Sequence, residues 1–410
     1  MQNITFVIQR YLPAQLTGSE TVIARYAECL ARSKEFKVTV ITSDTAVVRG
    51  IYDPRIVKLP RTESINEVSI KRLVVNWAIG SLYYLVDRFW PRLAKILGPE
   101  FKFLSFGPHF MGLEQAILES KPDFIHTGPM PLAHVWETAK IAQKHRIKLI
   151  ISPMMHFGIE SFTNSLIARV LNQAYKVACF TNYELTELIK MGIEPTKLTV
   201  VPASYLSSTE LTETPAETFL AKYPALRDKP YLLFLGTKAF DKGLLTLLNA
   251  MPIIRQRIPN CTLVAAGLAT IAWQQQSLPD YVLNLDYLEG ELKRSAIAGA
   301  RALVVPSRTE SFGIVTLEAM GQGTPVIVGP TGASSELIQA NKRNQAGYVL
   351  GKAGIAVPFN QTEVLARAST EIVINSNLAQ QFRVNGLEIA KNYSLAKFMP
   401  VLIKLYSSQD

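Results

Sequence analysis

Cysteine and histidine are scarce in this 410-residue chain, which has three of the first and five of the second. Cys29, Cys179 and Cys261 lie far apart, so their spacing predicts neither a metal cluster nor a disulfide framework. We expect small buried thiols in a reducing compartment. A Gly-x-Gly-x-x-Gly motif is also missing after either strand that would begin a dinucleotide-binding fold, which argues against a nicotinamide-dependent oxidoreductase.

Long hydrophobic runs are missing too. Residues 73–86 are mostly apolar and aromatic over about 14 residues, whereas a membrane-spanning helix needs roughly 20. Basic residues flank this segment at Lys71, Arg72, Arg88 and Arg92. Two interpretations stay open, an amphipathic helix on an anionic surface or a core helix with charged ends. The amino terminus lacks the features of a signal peptide, so we expect a cytoplasmic protein, with peripheral association at the inner face of the membrane left open.

The composition is that of a folded protein, with 48% hydrophobic and 19% charged residues, and it excludes a disordered or fibrous chain. The length suffices for two domains with full cores. A formal net charge of +10 predicts an anionic partner, such as phosphate, nucleic acid or an anionic membrane. Nucleic acid is disfavoured, because the basic residues form no stripe interleaved with aromatics.

Short runs rich in Val, Ile and Phe alternate with longer helical patterns, which indicates βαβ units around a parallel sheet. Strands are predicted in the first half at residues 4–8, 37–42, 123–126, 148–152, 177–181 and 198–202. A polar linker follows Pro202. Further strands are predicted at residues 231–236, 261–267, 281–285, 302–306 and 324–329. The predicted fold class is therefore α/β, with two doubly wound, Rossmann-like domains facing across a cleft.

The predicted domains are residues 1–207 and 208–392, with a last helix in residues 393–410 that packs back on the first domain. Open sheets of this kind bind ligands beyond the carboxyl ends of their strands. The loops that follow the predicted strands are therefore where we look for chemistry.

The stretch SRTESFGIVTLEAMGQGTPVI, residues 307–327, follows one of these strands. Glu310 lies in the predicted loop, and Gly313 begins a predicted helix that contains Glu318. Unpaired amides and the helix dipole make such a helix start an anion site, and glycine lets a phosphate approach closely. Glu318 precedes a glycine-rich turn and a buried strand, so we expect crowded surroundings. A carboxylate there is suited to accept hydrogen bonds from a vicinal diol.

A second strand end, LGTKAFDKGLLTLLNAM at residues 235–251, shows a related pattern. Asp241 or a neighbour is predicted to cap a helix. The predicted apolar stripe of this helix is Leu244, Leu245, Leu248 and Met251. Lys242 falls in the first turn, where the helix dipole disfavours a cation unless an anionic ligand pairs with it. We therefore predict a phosphate contact for Lys242.

These segments resemble a known family. PSRTESFGIVTLEAMGQGTPVI is similar to the Glu-x7-Glu region of the retaining family 4 glycosyltransferases, which have the GT-B fold of two Rossmann-like domains. FLGTKAFDKG resembles their strand, diphosphate loop and lysine, and TGASSELI and AGIAVPF resemble their closing segments. The resemblance covers almost the whole chain. It implies transfer of a sugar from a nucleotide diphosphate sugar to an acceptor hydroxyl, with retention at the anomeric carbon.

The resemblance also implies roles for residues of the second domain. Glu310 would contact the transferred sugar, and Glu318 would hold the ribose hydroxyls. Lys242 would balance the charge of the leaving diphosphate. Backbone amides at the helix start would hold the same diphosphate, namely those near Phe312, Gly313 and Ile314.

The chain departs from the family pattern at two places. The family commonly has a basic residue directly after the glycine of the diphosphate loop, whereas here Gly236 is followed by Thr237 and then Lys238. Two alternatives follow: Lys238 substitutes for that basic residue and contacts the donor, or the affinity for phosphate is reduced. The family often has Asn-Gly after the strand predicted at residues 198–202, whereas this chain has Ala203 and Ser204, which leaves the shape of the interdomain hinge open.

The first domain offers fewer candidates. Thr17 and Glu20 are spaced as a capping box ahead of a helix, and Gly18 between them is either a site residue or a plain turn glycine. His156 follows a predicted strand, and the resemblance implies that it contacts the donor sugar. His126, at the end of another strand, is a weaker candidate.

The expected donor is a UDP-sugar or a GDP-sugar, with no further cofactor. The chain has no Asp-x-Asp motif, so a metal-chelated diphosphate is not expected. In the family a diphosphate oxygen takes the acceptor proton, which would explain why no general base is evident. The acceptor is expected to be a carbohydrate or a lipid-linked molecule, in polysaccharide or glycolipid synthesis. The alternative is a catalytically degenerate subunit that keeps the fold and binds a partner.

Overall fold

The structure is a computed structural model, and it describes residues 1–14, 16–46, 58–89, 104–159, 161–274, 277–330, 332–343 and 345–407. The chain folds into two compact units, Met1–Ala203 with Met399–Asp410, and Ser204–Phe398. Each unit contains an eight-stranded, mainly parallel sheet, with helices between most of the successive parallel strands. This is the pattern of a doubly wound domain, so the predicted α/β fold class is confirmed. In the part of the chain that the structure describes, no helix is both long and apolar enough to cross a membrane.

The sheet of the first unit has its strands in the order β3-β4-β2-β1-β5-β6-β7-β8. They are β1 (Gln2–Val7), β2 (Phe36–Ser43), β3 (Thr62–Ile65), β4 (Val68–Leu73), β5 (Phe124–Thr127), β6 (Lys148–Ile151), β7 (Lys176–Cys179) and β8 (Leu198–Val200). β3 pairs with β4 in antiparallel fashion, and the other pairs are parallel. The central strands are covered on both faces, so they are continuous apolar runs rather than alternating ones.

The helices of the first unit pack on this sheet and bury its apolar side chains. They are α1 (Gly18–Ser33), α2 (Trp77–Phe89), α3 (Leu113–Glu119), α4 (Ala133–His145), α5 (Ser165–Gln173) and α6 (Asn182–Lys190), with a 3-10 turn at Pro195–Lys197. Side chains of preceding residues cap the first turns of some of these helices. The side-chain oxygen of Asn164 accepts from the amides of Leu166 and Ile167 in α5, and the hydroxyl of Thr181 accepts from the amide of Glu184 in α6.

The sheet of the second unit has the order β11-β10-β9-β12-β13-β16-β15-β14. Its strands are β9 (Tyr231–Leu235), β10 (Thr262–Ala266), β11 (Val282–Leu285), β12 (Ala302–Val305), β13 (Val326–Val328), β14 (Lys342–Arg343), β15 (Val349–Leu350) and β16 (Gly354–Ala356). The first six strands in this order pair in parallel, whereas β15 pairs in antiparallel fashion with β16, and β14 does so with β15. β9 and β12 are therefore neighbours, and the loops that follow them leave the same edge of the sheet.

Helices also surround the second sheet. They are α7 (Ser208–Leu211), α8 (Glu217–Lys222), α9 (Leu244–Arg257), α10 (Ile271–Gln274), α11 (Gly290–Gly299), α12 (Ile314–Gly321), α13 (Gly332–Leu337), α14 (Thr362–Ile374) and α15 (Ser376–Ala390), with 3-10 turns at Pro224–Leu226, Phe240–Lys242 and Lys391–Tyr393. The last helix, α16 (Leu395–Leu405), begins in the second unit and ends in the first.

Tyr406, just after α16, is fully buried in the first unit. Its hydroxyl lies 2.5 Å from His126 Nδ1, and His126 Nε2 lies 2.8 Å from the hydroxyl of Ser152. Burial lowers the pKa of His126 to about 3, so the ring is neutral at physiological pH. His126, a weaker site candidate in the sequence, is therefore a core histidine that holds the end of the chain.

Each strand predicted from the sequence is observed, with ends within two residues of the expected bounds. The region 64–112, in which no strand was predicted, contains β4 and α2 among its described residues. Strands β3 and β4 form a hairpin whose two turn residues, Asn66 and Glu67, have φ of 51° and 67°. Two left-handed residues define the turn type that favours Asn-Gly. Because a glutamate stands where glycine is usual, the sequence carried no hairpin signal.

The segment after Pro202, predicted to be a polar linker, contains the short helices α7 and α8 and belongs to the second unit from Ser204 onward. Gln322, at the end of α12, holds it in place. The side-chain amide of Gln322 donates to the carbonyls of Glu210 and Thr212 at 2.8 and 3.1 Å, and its oxygen accepts from the amide of Thr214 at 2.8 Å. The linker is therefore packed against the helix that follows the Glu310 loop.

Helix α2 corresponds to most of the apolar segment 73–86, and several of its side chains are exposed, including Leu82 (59%), Tyr84 (54%) and Phe89 (64%). Of the flanking basic residues, Arg72 is only 1% exposed. Its guanidinium donates to the carbonyls of Pro60 and Leu12, so Arg72 is not available to an anionic surface. The residue Arg92 and the side chain of Arg88 lie outside the described part of the structure.

Candidate active site

The loops after β9 and β12 in the second unit bring the two most specific predicted residues together. Lys242 lies in the first loop and Glu310 in the second, and Lys242 Nζ is 3.0 Å from Glu310 Oε1. About a fifth of each side chain is exposed, 22% and 19%. Burial works to lower the pKa of Lys242, but attraction by Glu310 outweighs it, and the pKa is raised. The pair is therefore a charged, partly sheltered cluster at the carboxyl edge of the sheet.

Backbone contacts hold these two loops against each other. The amide of Arg308 donates to the carbonyl of Asp241 at 2.7 Å. Gly243 has a φ of +74°, and a Cβ there would lie 2.3 Å from the carbonyl oxygen of Pro306. Only glycine fits this combination of a left-handed backbone and a close approach. Gly243 therefore fixes the spacing that brings Lys242 to Glu310.

Gly243 also begins helix α9, which corrects the prediction that Asp241 or a neighbouring side chain caps it. The cap has no side-chain hydrogen bond, and Asp241 precedes it in a 3-10 turn. The predicted apolar stripe was wrong in part, because Leu247 is fully buried whereas Leu245 is 38% exposed. With Gly243 as the N-cap, α9 begins later than it would with Asp241 as the cap. The set of residues that are buried therefore differs from the prediction.

Helix α12 starts at Ile314, directly after Gly313, as the sequence predicted. Gly313 is the N-cap residue with a φ of +96°, a conformation that glycine adopts at no steric cost. Phe312 is buried and packs edge-on against Tyr393, with ring centroids 5.9 Å apart. The packing of Phe312 fixes the backbone at the helix start, where the first amides lack partners within the helix.

Glu318 lies on the same helix and is only 6% exposed, so the prediction of crowded surroundings is confirmed. Its Oε1 accepts a hydrogen bond from Lys293 Nζ at 2.7 Å. Lys293 comes from α11 and had no sequence signal, because a lone lysine in an amphipathic helix is usually a solvated residue. Each of the two acids is thus paired with a lysine from another loop or helix.

Lys238, the candidate substitute at the diphosphate loop, is 3% exposed. Its Nζ donates to the carbonyl of Leu285, at the end of β11, at 2.5 Å. Burial lowers the pKa of Lys238, partly offset by Asp286. Gly236 lies at the end of β9, where its amide donates to the carbonyl of Ala266 at 3.1 Å. Lys238 therefore links two strand ends, and its donor contact stays a prediction.

His156 and Gly18 belong to the first unit. His156 lies in the loop after β6, and its ring packs edge-on against Phe162, with centroids 5.1 Å apart. Gly18 is the exposed first residue of α1, between the two residues of the predicted capping box, Thr17 and Glu20. The amide of Thr17 donates to the carboxylate of Glu20 at 3.0 Å, so this half of the box is confirmed. The contribution of His156 and Gly18 to a donor site stays a prediction.

A buried glutamate, for which the sequence analysis made no prediction, holds the loop that carries His156. Glu184 is 1% exposed, and its carboxylate accepts from the amides of Met155 and Phe180 at 2.9 and 2.6 Å. Burial raises the pKa of Glu184 to about 7. The spacing of Thr181 and Glu184 is that of a capping box, and this signal could have drawn attention to it.

Two family models match the sequence of this chain, and solved structures share its architecture. The model described as Glycosyltransferase Family 4 matches residues 16–204, and the one described as Glycosyl transferases group 1 matches residues 216–388. Sucrose-phosphate synthase from Thermosynechococcus elongatus has a TM-score of 0.71 at 18% identity, over 99% of this chain and 98% of its own. Anabaena HepE in complex with UDP-glucose has a TM-score of 0.72 at 14% identity, over 100% of both chains. At these identities the likeness shows the fold alone, which is that of the GT-B class of glycosyltransferases.

Together the two family models account for most of the chain, which belongs to the family 4 glycosyltransferases. An uncharacterized glycosyltransferase of Methanocaldococcus jannaschii is 36% identical over 118 residues, 27% of this chain and 30% of that protein. O-antigen chain mannosyltransferase B of Escherichia coli is 25% identical over 292 residues, 68% of this chain and 72% of that protein. Phosphatidyl-myo-inositol mannosyltransferase of Mycobacterium leprae is 26% identical over 196 residues, 46% of this chain and 49% of that protein. The matched stretch thus spans under a third of the first relative and about half of the third.

Proposed function

We propose that this chain is a retaining glycosyltransferase that moves a sugar from a nucleotide diphosphate sugar to an acceptor hydroxyl. The observation that carries the proposal is the pairing of Lys242 and Glu310 at 3.0 Å, in adjoining loops of a family 4 glycosyltransferase. A cation and an acid at the carboxyl edge of the sheet match the two demands of the reaction, a place for the leaving diphosphate and a contact to the sugar.

In this proposal Lys242 and the start of α12 balance the charge that develops on the leaving diphosphate. The bond between the anomeric carbon and the diphosphate oxygen breaks, and a bond from the acceptor oxygen forms on the same face. The acceptor proton passes to a diphosphate oxygen. The amides near Phe312, Gly313 and Ile314 are already oriented by the buried Phe312 ring, so little reorganisation is needed.

Glu310 contacts the transferred sugar, and Glu318 accepts from the ribose hydroxyls. The low exposure of Glu318 supports this assignment, because a carboxylate shielded from water forms stronger hydrogen bonds with two hydroxyl donors than an exposed carboxylate does. Gly236 and Lys238 line the donor side in the same proposal. His156 and Gly18 are assigned to the donor from the family resemblance, and single variants test each of them.

We assign the reaction no cofactor other than the donor itself and no metal, since the chain has no Asp-x-Asp motif. Among the described residues, no group of three or more His, Cys, Asp or Glu is arranged to hold a metal ion. Turnover that survives EDTA supports the assignment, and turnover restored only by added Mg²⁺ or Mn²⁺ contradicts it.

The proposed acceptor is a carbohydrate or a lipid-linked molecule, in polysaccharide or glycolipid synthesis. The names of two relatives, an O-antigen chain mannosyltransferase and a phosphatidyl-myo-inositol mannosyltransferase, support this class. The exposed apolar side chains of α2 support peripheral contact with an anionic membrane, where such acceptors reside. A cytoplasmic location at the inner face is part of the same proposal.

The test is a panel of UDP- and GDP-sugars, with nucleoside diphosphate release followed for the purified chain. The anomeric configuration of the product is read by proton NMR. Consumption of one donor with the configuration of the donor kept in the product supports the proposal, and an inverted product contradicts it. Stabilisation by UDP or GDP without consumption of any donor favours the degenerate binding subunit instead.

A further inference from the structure

Lys293 contacts the candidate site in the second unit, although neither the sequence motif nor the family match singles it out. Its ammonium lies 2.7 Å from Glu318 Oε1, with 24% of the Lys293 side chain and 7% of the Glu318 side chain exposed. A carboxylate so far removed from water needs a partner of opposite charge or several hydrogen-bond donors. Lys293 supplies such a partner from outside helix α12.

The helix that carries Lys293 is itself held on two sides. The hydroxyl of Ser295 accepts from the amide of Phe219 at 2.9 Å and donates to the carbonyl of Pro215 at 2.7 Å. Two residues further on, the carbonyl of Ile297 accepts from the hydroxyl of Thr324 at 2.7 Å. These contacts fix both the position and the rotation of α11. The ammonium is therefore placed by the fold, rather than by a flexible surface helix.

We infer that Lys293 is a positioning residue of the donor site, which orients the carboxylate of Glu318 toward the ribose diol of the nucleotide. The inference rests on the proposed function, in which Glu318 accepts from that diol. A carboxylate has about four acceptor positions around its two oxygens. When an ammonium occupies one position on Oε1, rotation about the last side-chain bond is restricted, and the remaining positions keep a fixed direction.

This role differs from two simpler ones. A lysine that bound the diphosphate would strengthen the binding of every nucleoside diphosphate equally, with or without ribose hydroxyls. A lysine that only stabilised the fold would lower the melting temperature without changing the choice between nucleotides. A positioning lysine affects binding only through the hydroxyls that Glu318 holds. The dependence of its effect on those hydroxyls therefore separates the three roles.

The experiment compares the affinities of UDP or GDP, whichever the wild-type chain binds, and of its 2′,3′-dideoxy analogue, by calorimetry. We expect Lys293→Met to weaken the ribonucleotide about tenfold and the dideoxy analogue less than twofold. Glu318→Gln should show the same pattern, and the double variant should lose no more than either single one. Lys293→Arg should restore part of the ribonucleotide affinity. Lys229→Met, at an exposed lysine of the same unit, is the matched control.

An equal loss for both nucleotides overturns the inference and assigns Lys293 to the diphosphate or to the fold. If Lys293→Met does not fold, the comparison of Lys293→Arg with the wild type carries the test. The arginine keeps the positive charge but changes the geometry of the hydrogen bond to Glu318. In that case unchanged discrimination between the two nucleotides overturns the inference. A wild-type chain that binds neither UDP nor GDP is a different result, since it overturns the proposed function itself.

Discussion

Lys242 and Glu310 lie 68 positions apart in the sequence, yet Lys242 Nζ and Glu310 Oε1 are 3.0 Å apart in the structure. The contact arises because β9 and β12 are neighbours in the sheet, so that their following loops share an edge. Gly243 allows those loops to touch at Pro306. The pair is partly exposed, so its own contribution to stability is small, about 1 kcal/mol or less. We therefore expect this pair to affect ligand binding more than folding.

Loss of the Glu310 charge should separate binding from turnover. We expect Glu310→Gln to lower kcat about 100-fold or more, because in the proposed mechanism the acid contacts the sugar and not the nucleotide. Affinity for the free nucleoside diphosphate should stay within a few fold, since Lys242 remains. Donor kinetics together with calorimetry check this. Glu217→Gln, at an exposed ion pair with Arg227 in the same unit, should change neither quantity.

Gly243 offers a test of the loop packing. Gly243→Ala forces alanine into a left-handed backbone conformation and places a Cβ 2.3 Å from the Pro306 carbonyl oxygen. We expect the free energy of unfolding to fall by about 3 kcal/mol. Gly290→Ala is the matched control, because Gly290 has a φ of +57° but open space around it. That variant should lose only about 1 kcal/mol. Equal losses in urea denaturation would show that the approach to Pro306 is not a constraint.

The buried Glu184 predicts a pH dependence of stability. Burial raises its pKa from 4.5 to about 7 in the folded state, so the folded chain binds this proton more tightly than the unfolded chain does. Its stabilising contribution is complete below pH 4.5 and is lost as the pH rises through 7, a change of about 3 kcal/mol. Glu184→Gln cannot titrate and should lack this slope.

Subtraction of the two pH profiles isolates this glutamate. His126 and His134 act in the opposite direction, because burial lowers their pKa values to about 3 and about 4 and their contribution is lost as the pH falls below 6.5. Both histidines remain in Glu184→Gln, so they cancel in the difference between variant and wild type. Parallel profiles of the two proteins between pH 4.5 and 7 would rule out Glu184 as the titrating group.

The membrane part of the proposal depends on the exposed face of α2. We expect Leu82→Glu to weaken co-sedimentation with phosphatidylglycerol vesicles about tenfold, because it places a negative charge on the apolar face. Leu118→Glu is the control, at a leucine of the same unit that is 41% exposed on α3. A wild-type chain that fails to bind these vesicles at low salt contradicts membrane contact altogether.

Much of the fold was predictable, because the parallel strands are short, continuous apolar runs that alternate with longer helical patterns. The β3–β4 hairpin was not, since its turn carries Glu67 where glycine is the usual signal. At the candidate site, Lys242 and Glu310 stand out because they lie in loops that follow strands, and Gly313 because it starts a helix. Glu318 stands out because it precedes a glycine-rich turn and a buried strand. Lys293 does not, because its contact with Glu318 is made by tertiary packing of α11, which the local sequence does not specify.

The most direct measurement compares donor turnover by Lys242→Met with that by Lys229→Met, in the same assay and with the donor that the wild type uses. Each variant removes one positive charge from the second unit. Lys229 is exposed, and it serves as the control because it lies outside the candidate site. We predict that Lys242→Met lowers nucleoside diphosphate release at least 100-fold, while Lys229→Met stays within twofold of the wild type. Equal turnover by the two variants would contradict the assignment of Lys242 to the leaving diphosphate.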